Sequence, residues 1–161
     1  MSVQPADIRR HLEQLLREES VLLVELEQIL RREVAVVSGE DAVAIEQIGG
    51  ARRLCVDALS RLDADRVATC RMLSFPGGRE GFEQLLSWCD PSLALQQRWQ
   101  ENLLVAGRCK ILNDGNGAVV TLKLGQVQKR LATLRGGKVG DVYGRGGASY
   151  DGFTQRALGQ A

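Results

Sequence analysis

The sequence predicts an all-α protein: three long antiparallel helices forming an elongated bundle, a short connecting helix, and a flexible glycine-rich C-terminal tail. Three observations carry this expectation. Apolar residues recur at helical spacing over three long segments, and no comparable stretch alternates as a strand would. Aromatic residues make up only 4% of the chain against 44% hydrophobic residues, a balance that suits aliphatic layers between helices. From Gly136 onward apolar periodicity stops and glycines become frequent, the composition of a flexible segment. Residues 1–135 are therefore assigned to the bundle and 136–161 to the tail.

The first helix spans about residues 5–37. Ile8, Leu15, Leu22, Ile29 and Val36 form one lane at seven-residue spacing, and Leu16, Leu23, Leu30 and Val37 form a second beside it. Two adjacent lanes make a broad stripe, which a helix packed against several partners needs and a two-stranded coiled coil does not. Glu19 and Glu33 fall in the lane of Leu12 and Leu26, which places that lane near the solvent edge. Ser38-Gly39-Glu40-Asp41 interrupts the pattern, and Ser38 is the expected N-cap of the second helix. That helix runs to about Leu73, with Ile45, Ile48, Cys55, Leu59, Leu62 and Leu73 facing inward. Gly49 and Gly50 weaken it locally and suit either a close helix approach or a bend.

Phe75-Pro76-Gly77-Gly78 is a turn, followed by a short helix from about Arg79 to Trp88. Asp90-Pro91 then opens the last long helix, with Asp90 as N-cap and Pro91 at the first helical position. Asn113-Asp114-Gly115-Asn116-Gly117 has the local chemistry of a hairpin turn. The longer pattern contradicts it: Trp99, Leu103, Ala106, Lys110, Asn113, Gly117, Val120, Leu124, Val127, Leu131 and Leu134 alternate steps of four and three without a slip. A turn would reset that phase, so one continuous helix is expected, with Gly117 allowing a neighbour to approach. Arg135-Gly136-Gly137 ends it with positive charge near the last carbonyls and a glycine stop.

Helix lengths connect this plan to binding. Helices of about 33, 35 and 44 residues measure about 50, 52 and 66 Å at 1.5 Å per residue, so the third outruns a hairpin of the first two by about ten ångströms. Its far end carries Val120, Leu124, Val127, Leu131 and Leu134, the candidate client-binding residues. An apolar stripe left open marks a partner site. Alternatively, the short helix at 79–88 covers it.

No chemistry is encoded. Cys55, Cys70, Cys89 and Cys109 are widely spaced, and His11 is the only histidine, so neither zinc nor any other metal site is expected. No GxxxxGK[ST] stretch occurs, and Gly144-Arg145-Gly146-Gly147 lacks the preceding strand that a phosphate cradle requires. Carboxylates fall in helical pairs such as Glu13–Arg17 and Asp57–Arg61. No enzyme activity and no cofactor are expected. A net charge of +1 gives no reason to expect nucleic acid binding. The absence of a long apolar run or leader-like segment predicts a cytoplasmic protein without membrane insertion.

Three segments carry a resemblance: Arg98-Trp99-Gln100, Leu112-Asn113-Asp114-Gly115-Asn116-Gly117, and Val142-Tyr143-Gly144-Arg145-Gly146-Gly147. A long helix with LNxxNG followed by a tail with YGxxG resembles the flagellar FlgN family, and order and length extend the likeness over most of the chain. Arg145-Gly146 departs from it, since many relatives show Pro-Asp or Ala-Asp there. The resemblance implies a type III flagellar export chaperone. It would hold hook–filament junction proteins of the FlgK and FlgL type through its C-terminal part, and dock on the export-gate protein FlhA. By position, the docking residues are Tyr143, Gly144 and Gly147. A structural coiled-coil interaction protein, or a chaperone of another secretion system, are the rival readings.

Overall fold

A computed structural model of the chain describes residues 3–39 and 41–135. Within them lie four helices: α1 (Pro5–Ser38), α2 (Ala42–Met72), α3 (Gly78–Cys89) and α4 (Ala94–Arg135). The expected all-α bundle and its short connecting helix are present, with α4 unbroken through Asn113 to Gly117. Packing thus overrides the local turn chemistry.

The helix starts differ in detail from the expectation. Asp41, rather than Ser38, caps α2, its carboxylate accepting from the Val43 and Ala44 amides at 3.0 and 3.1 Å. Ser38 belongs to α1 and donates its hydroxyl back to the Val34 carbonyl at 2.8 Å. A carboxylate is the better acceptor at the positive end of a helix. Likewise α4 begins at Ala94, beyond the expected Asp90-Pro91 start. Asp90 is buried and binds the Ser92 amide and hydroxyl and the Leu95 amide, so the chain turns once before the helix begins. Leu93 completes that turn at φ 63°, in the left-handed region.

α1 is the central helix, packed against both α2 and α4. Asn102 donates to the Leu16 carbonyl, Cys109 Sγ to that of Leu23 and Asn116 to that of Leu30, a constant offset of 86 residues. Rising numbers on both helices mean that α4 runs parallel to α1. Glu33 meets Arg52 and Glu19 meets Arg66, so α2 runs antiparallel to both. Two apolar compartments result. One gathers Leu12, Leu16, Phe82, Leu86, Leu95 and Trp99, and the other Leu23, Leu26, Leu30, Leu59, Ala106 and Cys109.

Polar layers bound these compartments, and here the sequence reading needs correction. Glu19 and Glu33 are buried, not at a solvent edge, with 6% and 7% of their surface exposed. Glu19 accepts from Arg66 at 3.2 Å and Asn102 at 2.9 Å; Glu33 accepts from Arg52 at 2.7 Å and Asn116 at 2.8 Å. Each layer thus joins one residue from each long helix. Desolvation pushes the Glu19 carboxyl upward, opposed by Arg66 and Asn102. Arg52 also donates to Asn113, so both asparagines of the LNxxNG motif are used in holding helices together.

These layers shift the inner face of α4 by one residue. Asn102, Cys109 and Asn116 are buried where Leu103, Lys110 and Gly117 were expected to line it; Leu103 is half-buried, and Lys110 and Gly117 are exposed. The close helix approach expected at Gly117 is not made: a Cβ there would meet nothing within 4 Å. Gly49 and Gly50 admit no helix either, a Cβ at each meeting only the Arg53 guanidinium. Gly117→Ala should therefore raise stability, by about 0.5–1 kcal/mol, because it removes glycine's entropic cost in a helix. Gly81 is the opposite case, since a Cβ there would collide with the Pro76 carbonyl. Gly81→Ala should destabilise by about 1–3 kcal/mol or more, and urea melts of the two variants would show shifts of opposite sign.

Candidate functional site

The end of α4 is set by register. Carrying the α1–α4 offset forward places Ser38, the last residue of α1, level with Leu124. Residues 125–135 continue as helix for about 16 Å beyond that point, at 1.5 Å per residue. The α1–α2 pairing puts Ile45 level with the chain just past Ser38. Ile45, expected to face inward, is instead 37% exposed, because α1 has ended where the first turn of α2 begins. Val43 beside it is exposed as well. Sequence periodicity could not find these two, since nothing in the pattern of α2 says where its partner stops.

The five candidate residues share one face by helical phase. At 3.6 residues per turn, positions 18 apart coincide after five turns. Val120, Leu124, Val127, Leu131 and Leu134 are thus the angular continuation of Asn102, Ala106, Cys109, Asn113 and Asn116. Those five upstream residues are buried or half-buried and face α1 and α2. Of the five candidates, the structure describes the side chain of Leu131, which is 45% exposed. Those of Val120, Leu124, Val127 and Leu134 lie outside the described residues. Leu122 falls five turns beyond Leu104 on the outer face, and both are 69% exposed.

The short helix does not cover this end. Phe82, Leu85, Leu86 and Cys89 of α3 pack with Ile8, Leu12, Leu95 and Trp99, at the start of α1 and α4. The reason is the chain path: α3 follows the descending α2 and lies where α4 has yet to rise. Tyr143, Gly144 and Gly147 lie outside the described residues.

Thiols and ion pairs among the described residues join the helices. Burial pushes the Cys55 thiol up to about 11 and that of Cys109 up to about 12, so both remain protonated and donate to the adjacent Leu22 and Leu23 carbonyls of α1. Glu27 is held down to about 2 by hydrogen bonds from Arg108 and Arg31, a pairing that bridges α1 and α4. Among the described residues no cluster of His, Cys, Asp or Glu could hold a metal ion, and no helix is long and apolar enough to cross a membrane.

No curated protein and no solved structure matches the chain. A family model described as FlgN protein matches residues 9–150, which takes in all but the first turn of the four-helix bundle and the Tyr143–Gly147 segment. The chain belongs to the FlgN family, a family of flagellar export chaperones that bind export substrates and are not enzymes.

Proposed function

We propose that this chain is a cytoplasmic chaperone for hook–filament junction proteins of the FlgK and FlgL type, held at the C-terminal end of α4, and that it delivers them to the export-gate protein FlhA through Tyr143. The observation that carries the client site is the α4 overhang. The helical face that α1 occupies upstream continues through Val120 and Leu124, level with the last turn of α1, and past its end as Val127, Leu131 and Leu134. An apolar helix face that runs past the end of its partner helix is a seat for an amphipathic partner segment.

The docking role rests on the family resemblance and on the residue itself. Tyr143 stands in a glycine-rich segment without apolar periodicity, flanked by Val142 and Gly144. A tyrosine supplies a large rigid contact surface and one hydroxyl, and the glycines let a partner approach the backbone closely. Gly144 and Gly147 serve that approach.

Co-expression of the chain with tagged FlgK-type and FlgL-type proteins tests the reading. Both should co-purify with wild type, and Tyr143→Ala should leave that complex intact while weakening binding to the FlhA cytosolic domain in titration calorimetry. Failure of both clients to co-purify removes the chaperone assignment to these substrates; equal FlhA affinities for wild type and variant remove Tyr143 from docking.

A further inference from the structure

The bundle has a fourth helix position that α3 fills only at its lower end. α2 and α4 each pack against α1 and α3, and their backbones scarcely meet. α3 lies in the angle between them. Its Phe82 stands edge-on to Trp99 of α4, lies under the Arg66 guanidinium of α2, and shares a core cluster with Leu12 and Leu16 of α1. Arg79 and Glu83 meet Gln100, and Ser87 meets Gln96, so α3 runs antiparallel to α4. Its first turn therefore ends the filled part about level with Gln100.

Burial along the two walls follows α3. On α4, Trp99 is buried, Leu103 one turn on is half-buried, and Lys110 and Gly117 at the next two heptad steps are exposed. On α2, Cys70 is buried in the cluster that holds Phe82, while Asp63, Val56 and Gly49 at successive heptad steps are half-buried. Arg66 meets Trp99 and Arg52 meets Asn113, which sets Gly49 about level with Gly117. A Cβ at Gly117 would meet nothing within 4 Å, and one at Gly49 only the Arg53 guanidinium. The lane of α4 that periodicity marks as inner is thus used where α3 covers it and left unused above. From Gln100 to Gly117 that upper stretch measures about 25 Å at 1.5 Å per residue, room for a helix of about four turns.

We propose that an amphipathic helix of the client lies in this position, in line with α3, and completes a four-helix bundle. This rests on the client-binding reading above and adds where along the bundle the client helix runs. The filled end shows what the position accepts, since α3 buries Phe82, Leu85, Leu86 and Cys89 from one face. A client helix with large apolar residues at the same spacing would set them against Val56 and Leu103, its backbone close to Gly49 and Gly117. Continuity selects the client as occupant. The lane of Leu103, Lys110 and Gly117 reaches Leu131 two heptads further on, the exposed residue of the client face. The chain's own segment 136–161 has no apolar periodicity with which to form such a helix.

The test uses the full chain co-expressed with a tagged FlgK-type or FlgL-type client. The photocrosslinker p-benzoylphenylalanine is placed at position 110, on the wall, or at position 111, on the outer face. Irradiation should link position 110 to an amphipathic helix of the client, located by mass spectrometry, and leave position 111 unlinked. In calorimetry Gly117→Leu should weaken client affinity about tenfold or more, because its side chain enters the space a close helix needs. Gly115→Leu, the same change two residues away on the exposed side, should leave affinity unchanged. Both variants should fold, since a Cβ at either glycine meets nothing within 4 Å. A link from position 110 to the chain's own tail or to a second copy overturns the proposal by identifying another occupant. Wild-type affinity in Gly117→Leu overturns it too, as does an equal loss in both variants. Client binding that Leu131→Asp abolishes, with no link at position 110 and no effect of Gly117→Leu, removes this seat while the client site stands. Failure of the wild-type chain to co-purify with either client removes both.

Discussion

Arg66→Ala should cost about 3–5 kcal/mol of folding stability, the range for removing one partner of a buried ion pair. Arg66 is 5% exposed and donates to Glu19 and to Asp63. Its guanidinium also lies 4.7 Å from the Trp99 ring centroid and 5.3 Å from that of Phe82, which meet edge-on at 5.0 Å. One side chain thus ties α2 to α1, α3 and α4. Its loss leaves the Glu19 carboxyl buried without the guanidinium that opposes its desolvation, and uncovers two aromatic rings. For a domain with about 5–15 kcal/mol in total, that is a large fraction. Urea denaturation followed by circular dichroism measures it. Adding Glu19→Gln to Arg66→Ala should recover part of the loss, because the uncompensated carboxylate disappears. A single variant within 1 kcal/mol of wild type, as for ordinary exposed pairs, would show that the layer is not a structural ion pair. Arg66→Lys should also be destabilising, since an ammonium cannot fork between Glu19 and Asp63 or stack on the rings.

The layer around Arg66 also shows where the sequence was and was not legible. The lanes of Ile8, Leu15, Leu22, Ile29 and Val36 and of Leu16, Leu23, Leu30 and Val37 predict the inner face of α1; six of the nine are buried, and Leu22, Val36 and Val37 are half-buried. Aliphatic periodicity suffices there because burial of a leucine depends on its own face alone. A buried glutamate depends on partners from other helices, so Glu19 and Glu33 read as solvent-edge residues when α1 is considered by itself. A signal was nevertheless present. Glu19 and Glu33, Arg52 and Arg66, and Asn102 and Asn116 each stand two heptads apart on three different helices. Matched spacing of an acid, a base and an amide is what two repeated polar layers require. The same reasoning explains Lys110 and Gly117. A lane traced through Leu103 instead of Asn102 selects the more apolar residue, whereas the carbonyls and carboxylates of α1 select the amide donor. The LNxxNG motif that carries the family resemblance is thus, in Asn113 and Asn116, a device for joining α4 to α1 and α2. The overhang of α4 past the end of α1 was legible in outline from helix lengths alone. The exposed start of α2 at Val43 and Ile45 was not, because it depends on where α1 stops.

Leu131→Asp should weaken client binding on the order of a hundredfold, the scale of losing an interface anchor. Leu131 continues the face of Asn113 five turns further on and is 45% exposed beyond the end of α1. A client segment seated there covers the remaining apolar surface at about 25 cal/mol per Å². The aspartate loses that contribution and places a carboxylate against an apolar partner, a second and larger cost. Folding should change little, since the position lies outside both core compartments and takes no part in the polar layers. Leu122→Asp is the matched control: 69% exposed and on the outer face, it should leave both folding and client affinity unchanged. Calorimetry of each variant against a FlgK-type and a FlgL-type client separates the possibilities. Loss at residue 131 with retention at 122 identifies a face-specific seat. Equal losses would point to any added negative charge near Lys129 and Arg130 as the cause. Wild-type affinity in folded Leu131→Asp would move the client site away from the end of α4.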